Sequence, residues 1–238
     1  MQNSSFKIWQ GPSPFNGESI SAIITNICRT SKNPKTGDMC QVWFLSTDIS
    51  PVHAVKLGDH SVCGNCRLMP CRASSFKESC YVARRAFQAP GNVWKYNIHL
   101  DVDMGSALEA IKLAAKPIRL GGYGDPAMVP QNIIEELLEN LKSVKRTKLY
   151  TAYTHQQDKP FASWIKDYAM ASTHSLEESK QYWDQGWRTF RITDKPEASR
   201  FERICLNYTK GINCADCCLC DGKKCSADNR KSITIPRH

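Results

Sequence analysis

Twelve cysteines occur in this chain of 238 residues, and they are grouped rather than scattered. Cys28 and Cys40 stand alone. Cys63, Cys66, Cys71 and Cys80 then share one short segment. No cysteine occurs from Tyr81 to Ile204. Cys205, Cys214, Cys217, Cys218, Cys220 and Cys225 crowd the C-terminal end. Random placement does not leave the middle of a chain empty. The two groups read as two ligand sets, or as two halves of one site joined by the fold. The opening MQNSSFKIWQGPSPF lacks the charged-then-apolar plan of a secretory leader. No apolar run approaches the roughly 18 residues a membrane span needs. The expectation is a cytoplasmic chain with no membrane association. In a reducing compartment, grouped cysteines signal metal or redox chemistry rather than disulfides.

The first group reads Cys63-Gly-Asn-Cys66-Arg-Leu-Met-Pro-Cys71, followed by Cys80. The second reads Cys205, then Cys214-Ala-Asp-Cys217-Cys218-Leu-Cys220-Asp-Gly. Two thiolates three residues apart on a turn reach one metal centre. A glycine after the first lets the backbone fold tightly and aim amide N–H groups at sulfur. Three or four thiolates in a short loop suit an iron–sulfur cluster, whose several irons spread the ligands apart. Structural zinc more often uses two pairs a dozen or more residues apart, and crossing Cys63/Cys66 with Cys217/Cys220 would make such a site at long range. Both metals stay open at this point. The expected ligands are Cys63, Cys66, Cys71, Cys80, Cys205, Cys214, Cys217 and Cys220. Cys28 and Cys40 read as small core hydrophobes, and Cys218 and Cys225 as bystanders. His60, three residues before Cys63, is a weaker candidate ligand or hydrogen-bond donor to one.

The cysteine-free middle alternates helix and strand. Ser106-Ala-Leu-Glu109 reads as a capping box opening a helix to about Ala115, and Ile118–Leu120 as a strand. After Pro130, the apolar residues Ile133, Ile134, Leu137, Leu138, Leu141 and Val144 keep helical spacing. Lys148 to Thr154 reads as a strand, Pro160 to Tyr168 as a short helix, and Ala169 to Thr173 as a strand. Ser175-Leu-Glu-Glu178 is a second capping box, its helix closing at Gly186 before a strand from Trp187 to Ile192. This repeat predicts a parallel sheet with helices packed on it, short-stranded as in a partial (β/α) barrel. Residues 1–60 are expected to add strands to that barrel, 61–200 to form it, and 201–238 to be a cysteine-rich segment with a basic tail.

Polar residues follow every strand of this repeat, at the rim where β/α barrels bind and react. Gly121-Gly122-Tyr123-Gly124-Asp125 follows the first strand. Three glycines there allow close backbone approach to a ligand, or serve a turn, and Asp125 caps a turn or acts on substrate. His155 and His174 take equivalent positions after the next two strands. Imidazoles there donate, accept or ligate near neutral pH. Asp125, His155 and His174 are the candidate catalytic residues, and Gly121, Gly122, Tyr123 and Gly124 the candidate cofactor contacts.

These motifs, together with Pro70-Cys71, Cys80-Tyr81, Arg119-Leu120 and Tyr153-Thr154-His155, resemble the cysteine-rich bacteriophage "gene product 88-like" family over about residues 62–222. That resemblance implies a phage protein working in host cytoplasm. More distantly, the layout is similar to radical S-adenosylmethionine proteins. These are partial (β/α) barrels with a [4Fe–4S] cluster at the mouth and a Gly-Gly-Glu-Pro strand end, echoed by Gly121-Gly-Tyr-Gly-Asp125-Pro126. It implies one or two [4Fe–4S] clusters, redox or radical chemistry, and S-adenosylmethionine as a cofactor. The signature C-x3-C-x2-C is replaced here by C-x2-C-x4-C plus Cys80. A fourth thiolate closes the cluster to that cofactor.

The formal charge is +9. Lys142, Lys145, Arg146 and Lys148 cluster at a helix end, and Lys223, Lys224, Arg230, Lys231 and Arg237 populate the tail. Patterned base suits nucleic acid, so a zinc protein touching nucleic acid through its tail is the competing expectation. A four-thiolate [4Fe–4S] site carries a charge of about −2, which part of the basic excess, Arg67 and Arg72 included, would offset. The leading expectation is an iron–sulfur protein with a small-molecule ligand at the barrel rim.

Overall fold

A computed structural model describes residues 4–73, 75, 79–143, 149–195 and 197–237. Of the expected basic helix end, Lys145, Arg146 and Lys148 lie outside these residues, as does Val144 of the helical pattern. Among the described residues, nine strands form one mixed, mostly parallel sheet. They are β1 (Phe6–Pro12), β2 (Ser19–Thr25), β3 (Cys40–Ser46), β4 (Ile118–Leu120), β5 (Tyr150–Thr154), β6 (Met170–Thr173), β7 (Thr189–Thr193), β8 (Glu202–Ile204) and β9 (Ser232–Pro236). The spatial order is β1-β2-β3-β4-β5-β6-β7-β9-β8. β1, β2 and β3 form an antiparallel meander. From β3 onward every neighbouring pair is parallel. The sheet is open, with β1 and β8 at its edges.

Among the described residues, eight α-helices accompany the sheet: α1 (Pro51–Leu57), α2 (Tyr81–Arg84), α3 (Ala89–Asn97), α4 (Met104–Ala114), α5 (Gln131–Lys142), α6 (Leu176–Asp184), α7 (Leu206–Lys210) and α8 (Cys214–Cys217). The middle helices cover one face. Val42, Phe44, Ile118, Leu120 and Ala152 on that face pack with Ile111 of α4 and Ile134, Leu137, Leu138 and Leu141 of α5. Strand side chains alternate, so residues 119, 151, 153, 172 and 190 point the other way. That second face is covered by the two cysteine-bearing segments, with Trp43, Leu45 and Val62 packing against Val93 and Trp94 of α3.

Several expectations shift. The cap of α4 is Asp103, whose carboxylate accepts the Ser106 N–H at 3.0 Å. Ser106 therefore lies inside the first turn rather than before it. The segment Pro160–Asp167 is a 3-10 helix. Its apolar residues Phe161/Trp164 and Ala162/Ile165/Tyr168 recur every third position, the period at which 3-10 side chains stack. Ser175 does cap α6 through the Glu178 N–H, but the Glu178 carboxylate reaches the His174 N–H at 2.7 Å instead of returning to the cap. Cys40 is buried at the start of β3. Cys28 is exposed in the turn after β2, beyond Asn26, whose φ of 64° turns the chain out of the core. The C-terminal segment also contributes strands. β9 enters between β7 and β8, held by parallel pairing on both sides.

No helix among the described residues is long and apolar enough to cross a membrane.

Candidate functional site

A cavity of about 970 Å³ opens on the second face of the sheet. Cys63, Cys66 and Cys80 of the first group line it, together with Cys205, Cys214, Cys217, Cys218 and Cys220 of the second. Gly121 to Asp125, His155, Ser172, His174 and Asp194, which follow or end successive strands, line it too. The fold thus gathers both cysteine groups and the polar strand ends around one space.

Cys63, Cys66 and Cys80 are close enough to influence one another electrostatically. Burial pushes the Cys63 thiol well up, and the charges of Cys66 and Cys80 push it further. Burial takes Cys66 up to about 11, opposed by the Leu68 and Met69 N–H groups on its sulfur. Burial raises Cys80 as well, opposed by Ala83 and Val82 N–H groups in the first turn of α2. Amides aimed at sulfur stabilise the thiolate that a metal requires. Cys71 lies apart. It is exposed, is not on the cavity, and sits beside Gly58. His60 turns away as well, its Nδ1 within 3.0 Å of the Gly64 carbonyl.

The second set contains four thiols. Burial takes Cys214 up to about 11, with Cys205 and Cys217 adding to it and Arg119 opposing. Burial pushes Cys220 well up, while the Tyr153 hydroxyl donates to its sulfur and Cys214, Cys205 and Cys217 repel. This set is anchored to the sheet. The Cys220 carbonyl accepts the Ala152 N–H of β5 at 2.8 Å. The buried Arg188 donates to the carbonyl oxygen and carboxylate of Asp221 (2.7 and 2.8 Å) and to the carbonyls of Leu219 and Lys231 (both 2.9 Å). Gly222 packs so closely on the backbone of Asp167 and Tyr168 that a Cβ would collide with both. The Cys-Asp-Gly sequence therefore ends the set with a clamp. Cys218, at φ 44°, turns its sulfur onto the carbonyls of Cys214 and Ala215.

The rim residues divide by role. Asp125 is buried and accepts hydrogen bonds from the Ala127 N–H (3.0 Å), the Thr154 hydroxyl (2.9 Å) and the His155 N–H (2.7 Å). Its amide meanwhile donates to Val62 (2.8 Å). It fastens β4, β5 and the first cysteine segment together. Gly121 and Gly124 have φ of 82° and 76°, and a Cβ on Gly124 would strike the Phe44 backbone. Turn geometry and packing already require these glycines. The rings of His155 and His174 lie side by side, centroids 6.1 Å apart. Both Nε2 atoms are buried without a hydrogen-bond partner among the described residues. Burial first, then the Arg67 charge, takes His174 down to about 3. Burial lowers His155 too, against the pull of Asp125. The pair is therefore neutral near pH 7, two imidazoles with nitrogen atoms available to a ligand.

Sequence reasoning left Arg119 and Tyr153 without a role. Arg119 is the single charged residue of the short strand Ile-Arg-Leu, and that was the available signal. Three of the five tail cations have local acidic partners. Lys224 and Arg230 pair with Asp221 at 3.0 and 2.6 Å, and Arg237 with Asp194 at 3.2 Å.

Fold and site define a mixed α/β protein whose parallel sheet carries a cavity flanked by two groups of thiols. Comparison with family models, with curated proteins and with solved structures gives no match. Among the described residues, no three or more His, Cys, Asp or Glu side chains are grouped so as to hold a metal ion. The donor chemistry of both sets, all thiol with amide or hydroxyl groups on three of the sulfurs, fits a thiolate-bound cluster.

Proposed function

We propose that this chain is an iron–sulfur protein in which two [4Fe–4S] sites face one small-molecule cavity on a radical-SAM-like partial barrel. Cys205, Cys214, Cys217 and Cys220 would hold one cluster with four thiolates. Cys63, Cys66 and Cys80 would hold the other with three, leaving one iron for a ligand. The observation that carries this reading is the convergence of both thiol sets on the same 970 Å³ space. A cluster sets its thiolates further apart than a single ion does, because sulfide and several irons stand between them. The ungrouped arrangement of the thiols is compatible with that wider spacing.

When bound, the clusters supply electron transfer and an iron open to ligand. The chain's own residues do the rest. Asp125 holds the His155 backbone and the strand end in register. His155 and His174 present neutral nitrogens to polar atoms of the ligand. Tyr153 places a hydroxyl on the Cys220 sulfur, and burial shields Cys66 and Cys220 from water.

Anaerobic purification followed by iron, sulfide and zinc analysis tests the reading. The expected protein is brown, absorbs broadly near ~400 nm and carries about eight irons per chain. Colourless protein with stoichiometric zinc refutes it. EPR spectra of reduced protein with and without S-adenosylmethionine then test the ligand implied by the family resemblance. An unchanged spectrum removes it.

A further inference from the structure

Arg119 projects from the middle of the sheet into the cavity, and its neighbours do not neutralise it. Its register partners are Gln41 on β3 and Thr151 on β5, so all three side chains share the cavity-side face. None is acidic. Among the described residues no carboxylate pairs with Arg119, and its Nη2 meets only the Tyr81 hydroxyl, at 3.5 Å. A guanidinium carries five N–H donors in a planar fork, and most of those of Arg119 are left open to the cavity rather than paired within the described residues. Thr151 adds a second, independent observation. It is buried, lines the cavity, and its Oγ1 has no hydrogen-bond partner among the described residues. A charged fork and an unsatisfied hydroxyl therefore stand side by side on adjacent strands.

We infer that Arg119 and Thr151 form a subsite for the anionic group of a small organic ligand, a carboxylate or a phosphate. Such groups match the fork with two parallel acceptors, which neither water nor a hydroxyl supplies. The volume suits a small organic molecule. Tyr153, Phe190 and Ile192 on the cavity wall give an apolar surface for its body. His155 and His174 take polar atoms at the rim end. The inference deepens the cavity part of the proposed function and does not depend on which metal the cysteines hold.

The competing role for Arg119 is as counter-charge to the Cys214 thiolate, and the experiment separates the two. Benzoate, phenyl phosphate and uncharged benzamide are titrated calorimetrically into anaerobically purified full-length protein, with metal counted on the same samples. Both anions are expected to bind saturably, one per chain, at least about tenfold tighter than benzamide. Arg119→Gln loses about tenfold or more, with its metal content unchanged. Thr151→Val, nearly isosteric, stays folded and loses severalfold. No saturable binding of either anion to the wild-type chain overturns the inference. So does equal affinity for benzamide and benzoate, or unaltered anion binding in Arg119→Gln. Metal lost from Arg119→Gln assigns the arginine to the second cysteine set and also overturns it. Zinc-loaded or metal-free protein that still binds benzoate through Arg119 supports the subsite while refuting the iron–sulfur reading.

Discussion

Replacing Arg188 with Met separates the stability of the sheet from the loading of the second thiol set. Arg188 lies just before β7, with a side chain only 4% exposed. Its donors satisfy three carbonyls, of Asp221, Leu219 and Lys231, and one oxygen of the Asp221 carboxylate. Two of these residues adjoin Cys220. Methionine keeps the length and apolar stem but removes every donor. Breaking a buried charge pair from one side costs about 3–5 kcal/mol. Asp221 keeps Arg230 at 2.6 Å and Lys224 at 3.0 Å, which argues for the lower end, while the orphaned carbonyls push the other way. For a chain of this size each kcal/mol moves Tm by about 2–4 °C, giving a loss of roughly 6–20 °C. The loosened segment carries Cys214, Cys217 and Cys220 but not the first set. Arg188→Met should thus match the iron content of a Cys214→Ala/Cys217→Ala variant, near half that of wild type. Thermal melts and iron counts on anaerobically purified protein read both effects. A Tm within about 2 °C of wild type, or iron lost from both sets alike, would refute the clamp.

Cys80→Ser should lose the iron of the first set while Cys71→Ser keeps it, read by iron counts on both. Equal loss would show that Cys71 turns inward. Gly222→Ala forces a methyl onto the backbone of Asp167 and Tyr168 and should cost about 1–3 kcal/mol in urea unfolding. Glu202 and Arg191 form a buried pair through two hydrogen bonds of 2.7 and 2.8 Å. Burial raises the Glu202 carboxyl, but Arg191 and the Ser199 N–H outweigh this and hold it below its ordinary value. Its stabilisation is complete above the ordinary carboxylate value and disappears as pH falls through the lowered one. Glu202→Gln should cost about 3–5 kcal/mol at pH 7. That difference from wild type should narrow in melts below pH ~4; a gap independent of pH counts against it.

The middle of the chain was legible because its signals are local. Helical spacing from Ile133 to Leu141 and the Ser175 cap need no distant partner, and α5 and α6 occur where those signals stand. The C-terminal strands were not legible. β8 is three residues long, and its buried Glu202 reads as a surface charge until Arg191, on β7, is placed beside it. Spacing showed that the thiols fall into groups but not which sulfurs face inward. That choice between Cys71 and Cys80 depends on how the chain returns, with the Cys80 N–H bonded to the Leu68 carbonyl at 2.6 Å. Asp125 was legible as important, yet its work is done by two backbone N–H groups and the Thr154 hydroxyl, a set that no sequence pattern displays.

The empty middle of the cysteine distribution has a structural reason. Residues 118–193 supply β4 to β7 and the helices behind them, which wall the cavity from one side. The helices bury the back of these strands, so the front can be closed only by chain entering from elsewhere. The segment before β4 closes one half and the segment after β7 the other, and these are the two that carry the thiols. Sealing that face with apolar side chains would have been more stabilising than placing Arg119, Thr151 and eight cysteines around a void. The strand ends compound the cost, with two imidazole nitrogens left without partners among the described residues. A chain that builds a well-packed core on one face and leaves such groups unsatisfied on the other spends stability where a metal and an anionic ligand would return it.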